Sequence, residues 1–287
     1  MQRIYKRNML LAASLVLVLI LAACSAPGTT SSLTPVQTLL NSANAMNKLQ
    51  SVHVDLQAML QMPASSSTPS ANSGGIPFNV TGHGDAASPD QASMNLALNN
   101  KPIVNVISKG QTVYVQTANG KWFSVDKSKL KNGAQSFFSQ SLASRLAAFT
   151  ADLQNAKLTD LGQETVNGVS LDHITAVLDQ QGLQTLSSQL NGLLPVAQQK
   201  GQNQITKATL DLWVDQTTSY IHQAKLDIMA QTDISKMLQD SASNGTPTTT
   251  GSTPMVVTVE VNVQLNFSKF NQPVNIEAPA NAVPLQQ

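Results

Sequence analysis

The chain has 287 residues, with 17 Lys plus Arg against 16 Asp plus Glu and a formal net charge of +1. Only 11% of its residues are charged, so it lacks the basic surplus that grips a phosphate backbone, and nucleic acid is not an expected partner. A single cysteine excludes an intramolecular disulfide and leaves stability to the core.

Arg3, Lys6 and Arg7 precede an apolar run from Met9 to Ala22. That run is too short for a comfortable membrane span and has the build of an export signal. It ends in Leu21-Ala22-Ala23-Cys24, which resembles the lipobox of bacterial lipoproteins. The resemblance implies cleavage after Ala23, a diacylglyceryl group on the Cys24 sulfur and acylation of the new amino group by a fatty acid such as palmitate. Removing residues 1–23 takes away three basic residues, leaving 14 against 16 acidic ones, a mature charge of −2. At roughly 0.8 kcal/mol per buried methylene, two or three chains give an anchor that one does not.

Residues Ser25 to Ser32 are small and polar, as suits a flexible tether over 24–33. Thr34-Pro35-Val36-Gln37 reads as a capping box with Pro at the first helical position. Behind it Val36, Leu39, Leu40, Ala43 and Met46 repeat at helical spacing. From Ser51 the period becomes two, with Val52, Val54, Leu56, Ala58, Leu60 and Met62 on one face of a strand. Pro63 to Gly75 is a Ser, Pro and Gly tract expected to be a disordered loop, after which Ile76, Phe78 and Val80 resume the alternation. His83-Gly84-Asp85 is expected at a turn or strand edge.

Short strands follow over 92–98, 103–108, 112–117 and 121–125, separated by Asn99-Asn100, Lys109-Gly110 and Asn119-Gly120. A helix is expected over about 136–150, with Phe137, Phe138, Leu142, Leu146 and Phe149 on a broad apolar face. Strands over 157–166 and 169–178 are linked by Asn167-Gly168. A Leu-rich helical stretch carries Leu183, Leu186, Leu190, Leu193 and Leu194 before Pro195. Strands over 205–215, 220–230 and 255–267 close the chain, with a low-complexity loop over 241–254. The expected fold class is α+β: one curved antiparallel sheet of about ten strands with helices placed between runs of strands. Residues 34–287 are expected to form a single domain.

His53, His83, His173 and His222 are dispersed, and no H-E-x-x-H, G-x-S-x-G, S-x-x-K or P-loop pattern occurs. A lipidated cysteine cannot act as a nucleophile. Neither an enzyme nor a metal or cofactor site is expected. Trp122 and Trp213 stand out among few aromatics as residues able to line a pocket.

Several motifs in order resemble the LppX/LprG family of lipoproteins, within the LolA-like superfamily. They are the lipobox, the first helix leading into Ser51-Val52-His53, Tyr114 with Lys121-Trp122, and Gly162-Gln163-Glu164-Thr165-Val166-Asn167-Gly168. Trp213-Val214-Asp215 and the ending Phe270-Asn271-Gln272-Pro273-Val274-Asn275-Ile276-Glu277-Ala278-Pro279 complete them. The resemblance implies a half-barrel whose concave face is covered by helices, with an apolar cavity between the layers that takes acyl chains, and no catalysis. Phe137, Phe138, Leu142, Leu186, Leu190 and Leu194, on segments punctuated by glycine, are the expected movable cover.

The expected function is a lipoprotein anchored at the outer face of the cytoplasmic membrane, or in an outer membrane, that carries or chaperones a lipid or acylated protein across the envelope. A membrane transporter is a possible partner. The alternatives are an envelope sensor that binds a lipid signal and a membrane protein, and a structural surface lipoprotein with a filled core.

Overall fold

The computed structural model describes residues 33–61, 77–117, 119–130, 153, 156–191, 203–233 and 256–285. Helix α1 (Pro35–Asn47) leads into β1 (Ser51–Gln61), β2 (Pro77–Ala87), β3 (Gln91–Leu98), β4 (Lys101–Lys109), β5 (Thr112–Gln116) and β6 (Trp122–Asp126). Then come β7 (Lys157–Val166), β8 (Val169–Val177), helix α2 (Gln180–Asn191), β9 (Asn203–Val214), β10 (Ile221–Asp233), β11 (Val256–Ser268) and the short β12 (Val283–Pro284). All twelve strands belong to one open sheet, in the order β12-β6-β5-β4-β3-β2-β1-β11-β10-β9-β8-β7. Each neighbouring pair is antiparallel except β12 with β6. The α+β reading with one large antiparallel sheet holds.

Local chemistry sets the hairpins. Leu98 pairs with Lys101 and Val166 with Val169, leaving two-residue loops. Asn99 and Asn100 have φ of 48° and 64°, and Asn167 and Gly168 have 51° and 82°, the double positive φ of a type I′ turn, whose twist matches that of the strands. Both turns are where Asn-Asn and Asn-Gly place them in the sequence.

Two elements depart from expectation. In α1 the buried residues are Thr38, Leu39, Ser42, Ala43 and Met46, whereas Val36 and Leu40 are exposed. The buried stripe is rotated toward two hydroxyl residues because Ser42 Oγ donates to the Thr38 carbonyl at 2.9 Å, which satisfies the hydroxyl inside the helix and lets it be buried. The second departure is β2, which runs on through Gly82, His83, Gly84 and Asp85 to Ala87 and is an interior strand rather than a turn. The glycines are there for space. A Cβ on Gly84 would collide with Ser93 O and lie 2.9 Å from Met94 Cα, and one on Gly82 would lie 2.7 Å from Leu96 Cδ2. At Gly84 the backbone of the next strand comes too close for a side chain, a position inside a strand that calls for glycine.

Every second residue of the long strands points to an apolar face. Its rungs run strand to strand. Ile174, Leu212, Ala224, Leu265, Leu56, Gly82, Leu96 and Val104 are successive partners from β8 to β4. The core lies against the second half of this face. Leu39 and Met46 of α1 and Leu186 of α2 share one buried cluster with Val52 and Val54 of β1, Ile174 and Ala176 of β8, Leu210 and Leu212 of β9, Ala224 and Ile228 of β10, and Phe267 of β11. No residue of β3 to β6 is among the members of that cluster.

After β11 the chain crosses the strand ends of the first half. Asn271 N donates to Ser51 O at 2.8 Å, Ser51 Oγ donates to Gln272 O, and Lys109 Nζ donates to Ile276 O at 2.8 Å. The segment ends as β12 on the outer side of β6, with Leu285 N donating to Ser124 O at 2.9 Å. The other edge strand, β7, carries a register shift between Asp160 and Gly162. There Gly162 has φ of 87°, and Asp160 Oδ1 accepts its N–H at 2.8 Å.

The Gly84→Ala variant is expected to lose about 2–4 kcal/mol, the upper range of overpacking, because backbone rather than a flexible side chain stands in the way. Thermal denaturation should show a melting temperature lower by about 5–12 °C. Gly110→Ala, at a positive φ but with open space around it, should cost only about 1 kcal/mol.

Candidate functional site

The apolar face of β2 to β6 is the candidate site. It presents Val80 of β2, Met94, Leu96 and Leu98 of β3, Val104 and Val106 of β4, Val115 of β5, and Phe123 and Val125 of β6, placed on one face by register, with Phe78 two residues before Val80 and paired with Leu60 of β1. All of these are only partly buried. Each strand contributes through simple alternation, with polar partners such as Thr81, Asn95 and Asn105 turned to the opposite side. The surface is therefore wide, aliphatic and free of formal charge, which suits hydrocarbon and offers nothing to a charged group.

Of the expected cover residues, Leu186 is 4% exposed and part of the core cluster. Its helix starts where Asp179 Oδ1 accepts the Gly182 N–H at 2.8 Å, an N-cap. Leu190 belongs to the same helix. Phe137, Phe138, Leu142 and Leu194, and the lipidation position Cys24, lie outside the described residues.

The two tryptophans require a correction. Trp213 pairs with His173 and Gln223, and Trp122 with Gln116, so both stand on the polar face, opposite the aliphatic rungs. The alternation itself dictates this. Leu212 and Val214 flank Trp213 and face the core, as Phe123 and Val125 do beyond Trp122. Both tryptophans therefore leave the set of apolar-face residues.

Trp213 instead closes a polar cluster. Its indole N–H donates to Glu164 Oε2 at 2.8 Å, and its ring stacks on His173 with centroids 4.3 Å apart and planes 19° apart. His173 Nδ1 is 3.1 Å from Glu164 Oε2, and Nε2 is 3.2 Å from Asp211 Oδ1. One imidazole thus ties the edge strand β7 to β9 across β8, with its two nitrogens aimed at carboxylates on opposite sides. Such divergent geometry positions strands. It does not converge on one reacting atom or one ion, and among the described residues no group of three His, Cys, Asp or Glu has metal-site geometry.

At the turn between β9 and β10, burial raises the pKa of Asp215, but hydrogen bonds from the Thr218 and Thr217 backbone outweigh it and hold the carboxyl below the usual carboxylate range. Those bonds are 2.8 and 2.7 Å long. His222, with its ring 5.0 Å from that of Phe270, is pushed down by burial, against a smaller upward pull from Asp215.

The depressed His222 binds its proton less readily folded than unfolded. It costs no stability above its unfolded pKa of about 6.5, and it destabilises progressively as pH falls below that value. Urea denaturation of the parent from pH 8 to pH 5 should show falling stability, and His222→Gln should flatten the part of the slope between pH 7 and pH 5.5. Asp215 acts at lower pH, stabilising above the usual carboxylate range and losing its contribution as pH falls through its depressed pKa.

No protein-family model matches the chain, and no curated protein matches it either. Solved structures do. Lipoprotein LppX of Mycobacterium tuberculosis is 16% identical, with 84% of this chain and 97% of that chain covered at a TM-score of 0.45. LprF from Mycobacterium bovis is 17% identical, with 85% of this chain and 96% of that one covered at a TM-score of 0.48. LppX, which gives the resembled family its name, is thus among the structural neighbours of this chain.

Proposed function

We propose that the chain is an exported, lipid-anchored lipoprotein that shelters the acyl chains of a lipid or acylated protein on the apolar face of β2 to β6 and carries them across the cell envelope without catalysing a reaction. The observation that carries this reading is the uneven cover of the sheet. Large aliphatic side chains continue over strands that the described core cluster does not reach. A bound chain covers the apolar area that these partly buried side chains still expose, at roughly 25 cal/mol per Å² removed from water, so contacts along several strands together hold hydrocarbon. The printed name of LppX, a lipoprotein, agrees with this reading.

Native mass spectrometry of the mature protein carrying Cys24→Ser should find co-purified lipid. Val106→Asp, which puts a carboxylate among Met94, Val115 and their neighbours, should lower lipid occupancy at least about tenfold, equivalent to about 1.4 kcal/mol. Thr81→Asp on the opposite face should leave it unchanged. A lipid-free parent that also fails to extract lipid from vesicles refutes the carrier reading.

Cys24→Ser is also expected to move the protein from the membrane fraction to the soluble fraction of cells with no change in melting temperature. A variant that remains membrane-bound at parental level contradicts the anchor.

A further inference from the structure

The face opposite the aliphatic one carries its own pattern. Asp55, His83, Asn95, Asn105, Gln116 and Trp122 are direct cross-strand partners in succession, one on each of β1 to β6. Their side chains form one row running across the strands. Asp55, His83 and Asn95 are exposed, and Asn105, Gln116 and Trp122 are partly exposed. Neighbours orient one another. Asn95 Nδ2 lies 3.3 Å from His83 Nε2, Asn105 Nδ2 donates to Gln116 Oε1 at 2.7 Å, and Gln116 Nε2 donates to Gly120 O at 3.0 Å. These contacts use only part of each carboxamide, which offers two N–H donors and a carbonyl with two lone pairs.

We propose that this row is a binding platform for an extended, uncharged polysaccharide. Fixed carboxamides and a carboxylate present paired donors and acceptors to vicinal hydroxyls, and the Trp122 ring gives the C–H face of a pyranose a flat apolar partner. Charge argues for a neutral polymer. Within β1 to β6 the only lysines are Lys101 and Lys109, at the two ends of β4, and there is no arginine. A phosphate- or uronate-bearing chain meets the Asp55 carboxylate and no lysine or arginine along the row. Spacing argues for an extended chain lying across the strands. Strands repeat every ~4.8 Å, about the length of one pyranose in an extended polymer, so six side chains span roughly 24 Å and meet about one sugar each. A peptide is disfavoured because the row offers neither a free strand edge nor apolar pockets. The platform lies on the far side of the sheet from the lipid face and stands or falls separately from the lipid reading.

The test uses the acylated full chain in a sugar-free zwitterionic detergent, titrated with cellohexaose and chitohexaose and with hexagalacturonate as the anionic control. Calorimetry should give a Kd in the range of about 10 µM to 1 mM for at least one neutral hexasaccharide. Tryptophan emission should change with it, a response that belongs to Trp122, because Trp213 is 7% exposed and stacked on His173. Trp122→Ala should weaken binding at least about tenfold and Gln116→Leu about threefold or more, while Val106→Asp on the aliphatic face leaves the affinity unchanged. Circular dichroism and melting curves verify that the variants fold, and Asn95→Ala, at an exposed position, serves if Trp122→Ala does not. The proposal is overturned if neither neutral hexasaccharide binds at about 5 mM, if hexagalacturonate binds as well as they do, or if binding is indifferent to every substitution in the row.

Discussion

The pairing of β1 with β11 holds the architecture together. Without it the chain consists of two meanders, β1 to β6 and β7 to β11, each presenting an apolar face to water. The register from His53 with Ser268 through Gln61 with Glu260 brings Val54 against Phe267 and Leu56 against Leu265, so that the two faces become one. Asn271 then fastens the junction, accepting the Gln50 N–H at 2.8 Å through its side chain. Closing a loop of this length costs entropy before any contact repays it, although the cost grows only slowly with length.

The division of labour across the sheet follows from that junction. Helices α1 and α2 share a core with β1 and the second meander, and most of the deeply buried side chains lie there, Leu39, Ile174, Leu212 and Ile221 among them. Strands β2 to β6 contribute aliphatic rungs at lower burial, apart from Val113 of β5 at 2% exposure. A scaffold anchored firmly on one half can present the other half as a surface, much as binding residues elsewhere are held by rigid elements at a distance from them.

Much of the fold was legible because short-range chemistry determines it. Alternation in Val52 to Leu60 and the turn residues at 99–100 and 167–168 appear in the molecule as read. Sequence reasoning missed what depends on neighbours far along the chain. The run through Gly82 and Gly84 reads as a break in isolation, and only the close approach of β3 explains why glycine belongs inside a strand. Thr38 and Ser42 look like the polar side of α1 until their hydrogen bond is known. The positions of Trp122 and Trp213 were available from parity alone, since each stands one residue away from the aliphatic set of its own strand. Neither the aliphatic rungs nor the polar row across six strands has any linear signature, because both are products of register.

The two edges of the sheet end in different ways, and the difference bears on how copies of this protein coexist at high density. A flat, unpaired strand invites a second molecule to continue the sheet. On one side β12 occupies the outer side of β6 and leaves just two residues as the terminal strand. On the other side β7 keeps a long border, but the kink at Gly162 interrupts its straight run, and Lys157, Asp160 and Glu164 place charges along it. A chain with so few charges overall, and so many side chains suited to a sheet, spends several of them where edge-to-edge growth into fibres would begin.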